Sequence, residues 1–175
     1  MHDDHKLVEV RLARAMDRIN KALYRDNRPL QVQVWHLPGE PVPVSEALSA
    51  TYEPFEVGTV WGPPWSTSWF KITGEVPAEW AGQKAELVFD IGFGGGPGFS
   101  SEGMAYTMDG TPIKAIHPRN RYVPVEPGQK VEILLEAAAN PNTHDDTSVS
   151  DIQTTHHRPL FTFAQADAAI LDENV

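Results

Sequence analysis

The chain has 175 residues, with 14 Lys and Arg against 24 Asp and Glu, a net charge of −10, a pI near 5.0 and no cysteine. At that length roughly 70% of the unfolded surface can be buried, enough for one self-sufficient core. The missing thiol excludes disulfides, thiolate metal sites and a cysteine nucleophile, and the acidic balance, without any Lys/Arg stripe, argues against nucleic acid as a partner.

The opening MHDDHKLVEV is charged where a secretory segment must be apolar. No run approaches the ~20 apolar residues of a membrane span, so the expectation is a soluble, unprocessed protein with no membrane partner, and the absence of cysteine fits a cytoplasmic home. Across residues 7–25, Val8, Leu12, Met16, Ile19 and Leu23 recur every three or four positions, with Arg11, Arg14, Asp17, Arg18 and Lys21 between them. That period predicts an amphipathic α-helix, capped at Asp3 or Asp4 and stopped by Asn27 and Pro29. Its apolar stripe needs cover, from this chain or from another body. Val32 and Val34 then alternate with Gln31 and Gln33 as in a short strand; HLPGEPVPV is an extended connector, and residues 45–50 allow a turn of helix.

Beyond Pro64 the pattern changes to period two. Phe70 and Ile72 share one face, Thr67, Trp69 and Lys71 the other, and Gly74 with Pro77 closes the segment. Leu87, Phe89 and Ile91 alternate in ELVFDIG, and the glycine-rich GFGGGPGFSS connects to a strand at MAYTM. Asp109-Gly110 predicts a two-residue type I′ hairpin into a strand through Ile113 and Ile116. RYVPV, a turn at residues 126–129, KVEILLEA and one strand within PLFTFAQADAAIL complete the chain. Short strands with turn signals every ten residues or so predict a mainly β fold, an antiparallel β-sandwich or jelly roll. The helix would occupy residues 1–28 and the sandwich residues 29–175.

Four of the five tryptophans fall in WGPPWSTSWFKITGEVPAEW, residues 61–80. Trp61, Trp65 and Trp69 are spaced like a helix face, but Pro63 and Pro64 intervene and exclude the helix. Rings left in water suit the C–H face of a pyranose, whereas rings turned inward fill a sandwich core, the commoner fate of tryptophan. Trp61, Trp65, Trp69 and Trp80 are thus candidate carbohydrate-binding residues with core filling as the competing role.

GFGGGPG lacks the Lys-Ser/Thr of a phosphate loop and the dinucleotide spacing. His144 with Asp146, and His156-His157, have metal-ligand chemistry but lie in a polar, aperiodic stretch that reads as a solvated loop, and His2 and His5 sit at a frayed terminus. No metal is assigned to this chain. A glycosidase holds two carboxylates about 5 to 9 Å apart; Glu53, Glu56, Asp90 and Glu102 are available, and nothing in the sequence pairs them. There is no Gly-x-Ser-x-Gly elbow, and Ser66, Thr67 and Ser68 have no histidine close in sequence, so no catalytic residue is assigned.

Several long motifs, in order, resemble one family. WGPPWSTSWFKITGEVPAEWAGQ is similar to the opening of the N-terminal β-sandwich of cytosolic-type α-mannosidases in glycoside hydrolase family 38. EGMAYTMDGTPIKAIHPRNRYVPV and LLEAAANP resemble its later segments, and RPLFTFAQADAAILDENV the segment that closes that domain ahead of the catalytic barrel. The likeness extends over about residues 30 to 175. It implies a galactose-binding-like sandwich with a structural or assembly role, and a parent enzyme that hydrolyses terminal α-mannosides with a zinc-type divalent metal and an aspartate nucleophile. Those groups would lie on a barrel beyond Val175, leaving this chain inactive alone, with that barrel and further subunits of a homo-oligomer as its partners. His144 and Asp146 match the letters of the family's metal pair in the wrong domain, so the role is not carried to them. Ser68 stands where the pattern has His and His117 where it has Asn, which leaves both positions without an inherited role. The alternatives are a carbohydrate-binding module using exposed tryptophans, or an accessory domain of another glycoside hydrolase.

Overall fold

The computed structural model describes residues 4–93, 101–140 and 158–175. Helix α1 (His5–Ala22) leads into β1 (Tyr24–Pro29) and β2 (Gln31–His36), followed by the short helix α2 (Val44–Ser49). The remaining strands are β3 (Glu53–Phe55), β4 (Val60–Trp61), β5 (Ser66–Glu75), β6 (Ala85–Asp90), β7 (Ser101–Thr107), β8 (Pro112–Ile116), β9 (Tyr122–Val125), β10 (Lys130–Ala139), β11 (Phe161–Thr162) and β12 (Gln165–Leu171). They form a four-stranded sheet, β1-β12-β6-β9, a six-stranded sheet, β3-β2-β5-β10-β7-β8, and a short β11-β4 ladder. Every described pairing is antiparallel, as the turn-rich sequence predicts.

Alternation along the strands builds the core. In the larger sheet Phe70 lies opposite Val34 and Leu135, and Ile72 opposite Val32 and Ile133, all buried. The smaller sheet answers with Leu87 beside Ala168 and Val123, and Phe89 beside Ala166. These inner faces merge into one cluster, in which each large aliphatic or aromatic side chain contributes about 1.5–3 kcal/mol by leaving water. The outer face of β5 is covered as well: Trp69 and Leu134 pack with Leu37 and Ala47 beneath α2 and its flanking connector. With both faces covered, four consecutive residues, Thr67, Ser68, Trp69 and Phe70, are buried.

The structure departs from the sequence reading at identifiable places. Helix α1 ends at Ala22 because Tyr24 and Arg25 pair with Leu171 and Ile170, so strand residues begin ahead of position 29. Asp4 occupies the N-cap but makes no side-chain cap bond, and no residue of α1 is buried. The Asp109-Gly110 turn is not type I′. Only Gly110 has positive φ, at 85°, while Asp109 does not. Thr107 N–H donates to the Thr111 carbonyl at 2.9 Å across a three-residue loop, and the Asp109 carboxylate accepts from the Thr111 N–H and the Thr107 hydroxyl. The C-terminal segment contains two strands, β11 and β12, not one.

Candidate functional site

One end of the sandwich is organised around the turn between β4 and β5. Strand β4 is pinned to β11, with Trp61 opposite Phe161. The Trp61 indole N–H donates to the Ile91 carbonyl at 2.9 Å, and its ring meets Phe70 edge-on with centroids 5.4 Å apart. The chain must then reverse against β10. Gly62 adopts φ 69°, and a Cβ there would lie 2.7 Å from the Ala139 Cβ, so both conformation and space require glycine. Residues 63–66 close a β-turn through a 3.1 Å bond from the Ser66 N–H to the Pro63 carbonyl. Pro64 in second place and φ 65° at Trp65 in third make this a type II arrangement, in which the third position belongs to glycine or asparagine. A bulky side chain there costs of order 1–3 kcal/mol. It is held by the Trp65 N–H, which donates to the Ala139 carbonyl at 2.8 Å, while the indole stays 67% exposed.

The other three candidate rings are inside. Trp61 and Trp69 are 1% exposed and Trp80 3%. Trp61 joins the inter-sheet core, Trp69 lies under α2, and Trp80 ends a single 3-10 turn, Ala78–Trp80, with the Arg28 guanidinium 5.8 Å from its ring centroid. A ring without an open face cannot stack on a sugar, so among the four only Trp65 offers one.

Beside this turn lies a cavity of about 270 Å³, lined by His36, Trp61, Pro63, Ser66, Ser68 and Pro159 among others. Strand register places His36 opposite Ser68, with His36 Nδ1 2.9 Å from Ser68 Oγ. His36 is exposed over much of its surface, yet partial desolvation of the imidazole lowers its pKa, and the nearby Glu53 carboxylate only partly opposes that. The Ser66 hydroxyl is buried without a hydrogen-bond partner, as is that of Ser101, which flanks Ala139 from the opposite strand. Such orphaned groups each cost about 1–3 kcal/mol unless a solvent or ligand atom meets them. Ser68 is 1% exposed and no carboxylate among the described residues hydrogen-bonds to the imidazole, so this pair satisfies a buried hydroxyl and does not arm a nucleophile.

The carboxylates named from sequence are distributed over separate elements. Glu53 lies on β3, Glu56 just after it, and Glu102 on β7. Asp90 closes β6, where Oδ1 accepts the N–H groups of Gly92 and Phe93 at 2.9 and 3.1 Å and Oδ2 lies 3.9 Å from Arg121. Asp90 thus serves as a loop cap. Among the described residues no cluster of three or more His, Asp or Glu could hold a metal, so they do not fit a zinc-type ion. His2, His144, Asp146, His156 and His157 lie outside the described residues, as do most of GFGGGPG. Sequence reasoning missed the His36–Ser68 contact. That contact left no signal in the sequence, whereas Pro63-Pro64 before Trp65 did signal the turn, a type II turn with its glycine slot filled by an aromatic.

Comparison with known proteins places this geometry in context. A family model described as "Alpha-mannosidase, jelly roll domain" matches residues 28–169. The chain is 29% identical over 94 residues to alpha-mannosidase 2C1 of Homo sapiens, a match covering 54% of this chain and 8% of that protein. It is 33% identical over 51 residues to alpha-mannosidase 2C1 of Mus musculus, covering 29% of this chain and 5% of that protein. Among solved structures, a Ruminococcus gnavus β-glucuronidase superposes with a TM-score of 0.54 at 15% identity, over 86% of this chain and 30% of the other. Its complex with D-glucuronic acid gives 0.50 at 14% identity, with the same coverage. These likenesses show the fold alone. No described helix is long and apolar enough to cross a membrane.

Proposed function

Because the chain belongs to the jelly-roll domain family of α-mannosidases, we propose that it works within a longer α-mannosidase as the non-catalytic sandwich against which the catalytic part is assembled. In this reading terminal α-mannosides are substrates of the whole protein, a zinc-type metal belongs to its catalytic part, and the cytoplasm is its compartment. The observation that carries it is the family match over residues 28–169, which takes in nearly the whole sandwich. An aryl α-mannoside assay tests the assignment: residues 1–175 alone should give no turnover and the longer protein should. Metal-dependent turnover by residues 1–175 would overturn it.

Helix α1 favours a second role, in homo-oligomer assembly. Val8, Leu12, Met16 and Ile19 are 57%, 61%, 50% and 47% exposed, an apolar stripe with no cover from the sandwich. The helix holds five basic and two acidic residues, whereas the rest of the chain holds nine basic and 22 acidic. That opposition suits α1 to the acidic sandwich of a second copy. Sedimentation of the longer protein with and without residues 1–22 tests this, and an unchanged assembly state removes it.

A further inference from the structure

We propose that helix α1 of one copy of this chain seats its apolar stripe in the groove between edge strands β1 and β3 of a second copy, which returns the same contact. This contact rests on the assembly role given to α1 above and adds the surface that receives the helix. Leu12, Met16 and Ile19 recur at i, i+4 and i+7, the spacing of a helix that binds a groove. They are 61%, 50% and 47% exposed, and no residue of α1 is buried. One residue, Leu23, itself in helical conformation, separates α1 from β1, whose Tyr24 and Arg25 are already paired with Leu171 and Ile170. That leaves no loop with which the helix could double back on its own sandwich, so its cover comes from another body.

The groove, of about 790 Å³, lies where the chain passes from β1 to β2. There β1 is the outermost strand of the four-stranded sheet and β3 that of the six-stranded one. Pro29, Pro54 and Val57 stand exposed along it, and Phe55 is half-buried. Another strand is a poor occupant, because Pro54 and the charged Glu53 and Glu56 guard the β3 edge. A basic, apolar helix is a good one, since the charges agree in sign and in spacing. Arg11 and Arg18 directly precede Leu12 and Ile19 and border one side of the stripe, about 10 Å apart along the helix axis. Glu53 and Glu56, both exposed, are about 10 Å apart along an extended chain. Among the described residues none of the four is in an ion pair. Because α1 enters β1 and the groove begins where β1 ends, two copies related by a two-fold axis cover both stripes in one closed contact.

The chain contains no cysteine, so a pair of introduced thiols reports this contact alone. Met16→Cys and Val57→Cys, prepared as separate chains of residues 1–175 and mixed under oxidation, should give a disulfide-linked heterodimer identified by its mass. Met16→Cys mixed with Ile113→Cys, on the opposite edge strand β8, should give none. In sedimentation, Arg11→Glu with Arg18→Glu should weaken self-association about three- to tenfold, and adding Glu53→Lys with Glu56→Lys to the same chain should restore it. All four positions are exposed, so an unchanged Tm shows that the fold is untouched. Self-association that needs residues 1–22 but gives no Val57 crosslink, or no rescue by the charge exchange, would overturn the groove while the assembly role of α1 stands. Monomeric residues 1–175 at about 1 mM would also overturn this contact; an unchanged assembly of the longer protein without residues 1–22 would remove the role of α1 as well. A crosslink that forms only when both thiols share one chain would mean that α1 folds onto its own groove, and the exchange between copies would be wrong.

Discussion

Strand β5 and helix α1 are both amphipathic in sequence, yet the fold treats them in opposite ways. In β5 the residues of both alternating faces are buried, Phe70 and Ile72 between the sheets and Trp69 under α2. In α1 no residue is buried, although Val8, Leu12, Met16 and Ile19 form the clearest periodic stripe in the chain. Periodicity reports which face of an element is apolar. It does not report whether the partner for that face lies in the same chain, and here it does for the strand only.

The sharpest way to test this contrast is to truncate each element. Phe70 is fully buried, with ring centroids 5.3 Å from Phe55, 5.4 Å from Trp61 and 4.7 Å from Phe163. Phe70→Ala should therefore cost about 3–5 kcal/mol in urea unfolding, a large fraction of the stability of an ordinary domain, and move the midpoint to much lower urea. The turn that feeds β5 comes next. Gly62→Ala puts a Cβ 2.7 Å from the Ala139 Cβ at a positive φ, and neither backbone has a flexible end to yield; a loss of about 2 kcal/mol should follow. Trp65→Gly, three residues on, should have the opposite sign, raising stability by up to about 1 kcal/mol as the type II turn recovers its preferred residue. Two neighbouring positive-φ sites thus give opposite responses, one built for glycine and holding it, the other built for glycine and holding tryptophan.

Strand β2, which adjoins β5, also carries a weak pH dependence. His36 is held below its usual pKa of 6.5 by burial, so as pH falls through that value the unfolded chain takes up more protons than the folded one. Stability should decline from about pH 7 toward pH 5 and be indifferent to this group above pH 7. The decline should be smaller than the glycine effect, because the ring is partly in water. His36→Gln should flatten it, and an unaltered pH profile of Tm in that variant would rule out His36 as the source.

These contrasts show why the sandwich was legible in sequence and its functional end was not. Period-two runs at residues 66–75 and 85–90 carry their own register, since a one-residue slip would turn Phe70, Ile72, Leu87 and Phe89 away from the opposing sheet, and the first motif resembling α-mannosidases, residues 61–83, takes in the first of these runs. β1, β3 and β4 escaped because YRDNRP, EPF and VW have no alternation of their own; they are strands only because β12, β2 and β11 offer them partners. The tryptophan run shows the same limit at single residues. Spacing could not separate Trp61 and Trp69 from Trp65, because burial here is decided by a turn and by α2 arriving from another part of the chain. The His36–Ser68 contact joins residues 32 positions apart, so only the β2–β5 register reveals it.

The smallest effect on the domain itself should come from the most conspicuous sequence feature. Leu12→Ala and Ile19→Ala remove side chains that are 61% and 47% exposed and touch no core. Surface substitutions of that kind stay within about 0.5 kcal/mol, so unfolding of residues 1–175 should be nearly unchanged. An exposed stripe is nonetheless costly to leave wet, and its basic flank of Arg11, Arg14, Arg18 and Lys21 opposes the acidic remainder of the chain. If α1 is covered in the assembled protein, the same two substitutions should shift the sedimentation of the longer protein toward smaller species, more strongly as salt screens the flank. A variant that destabilised residues 1–175 by 2 kcal/mol or more would mean that α1 packs on its own sandwich, and the contrast with β5 would collapse.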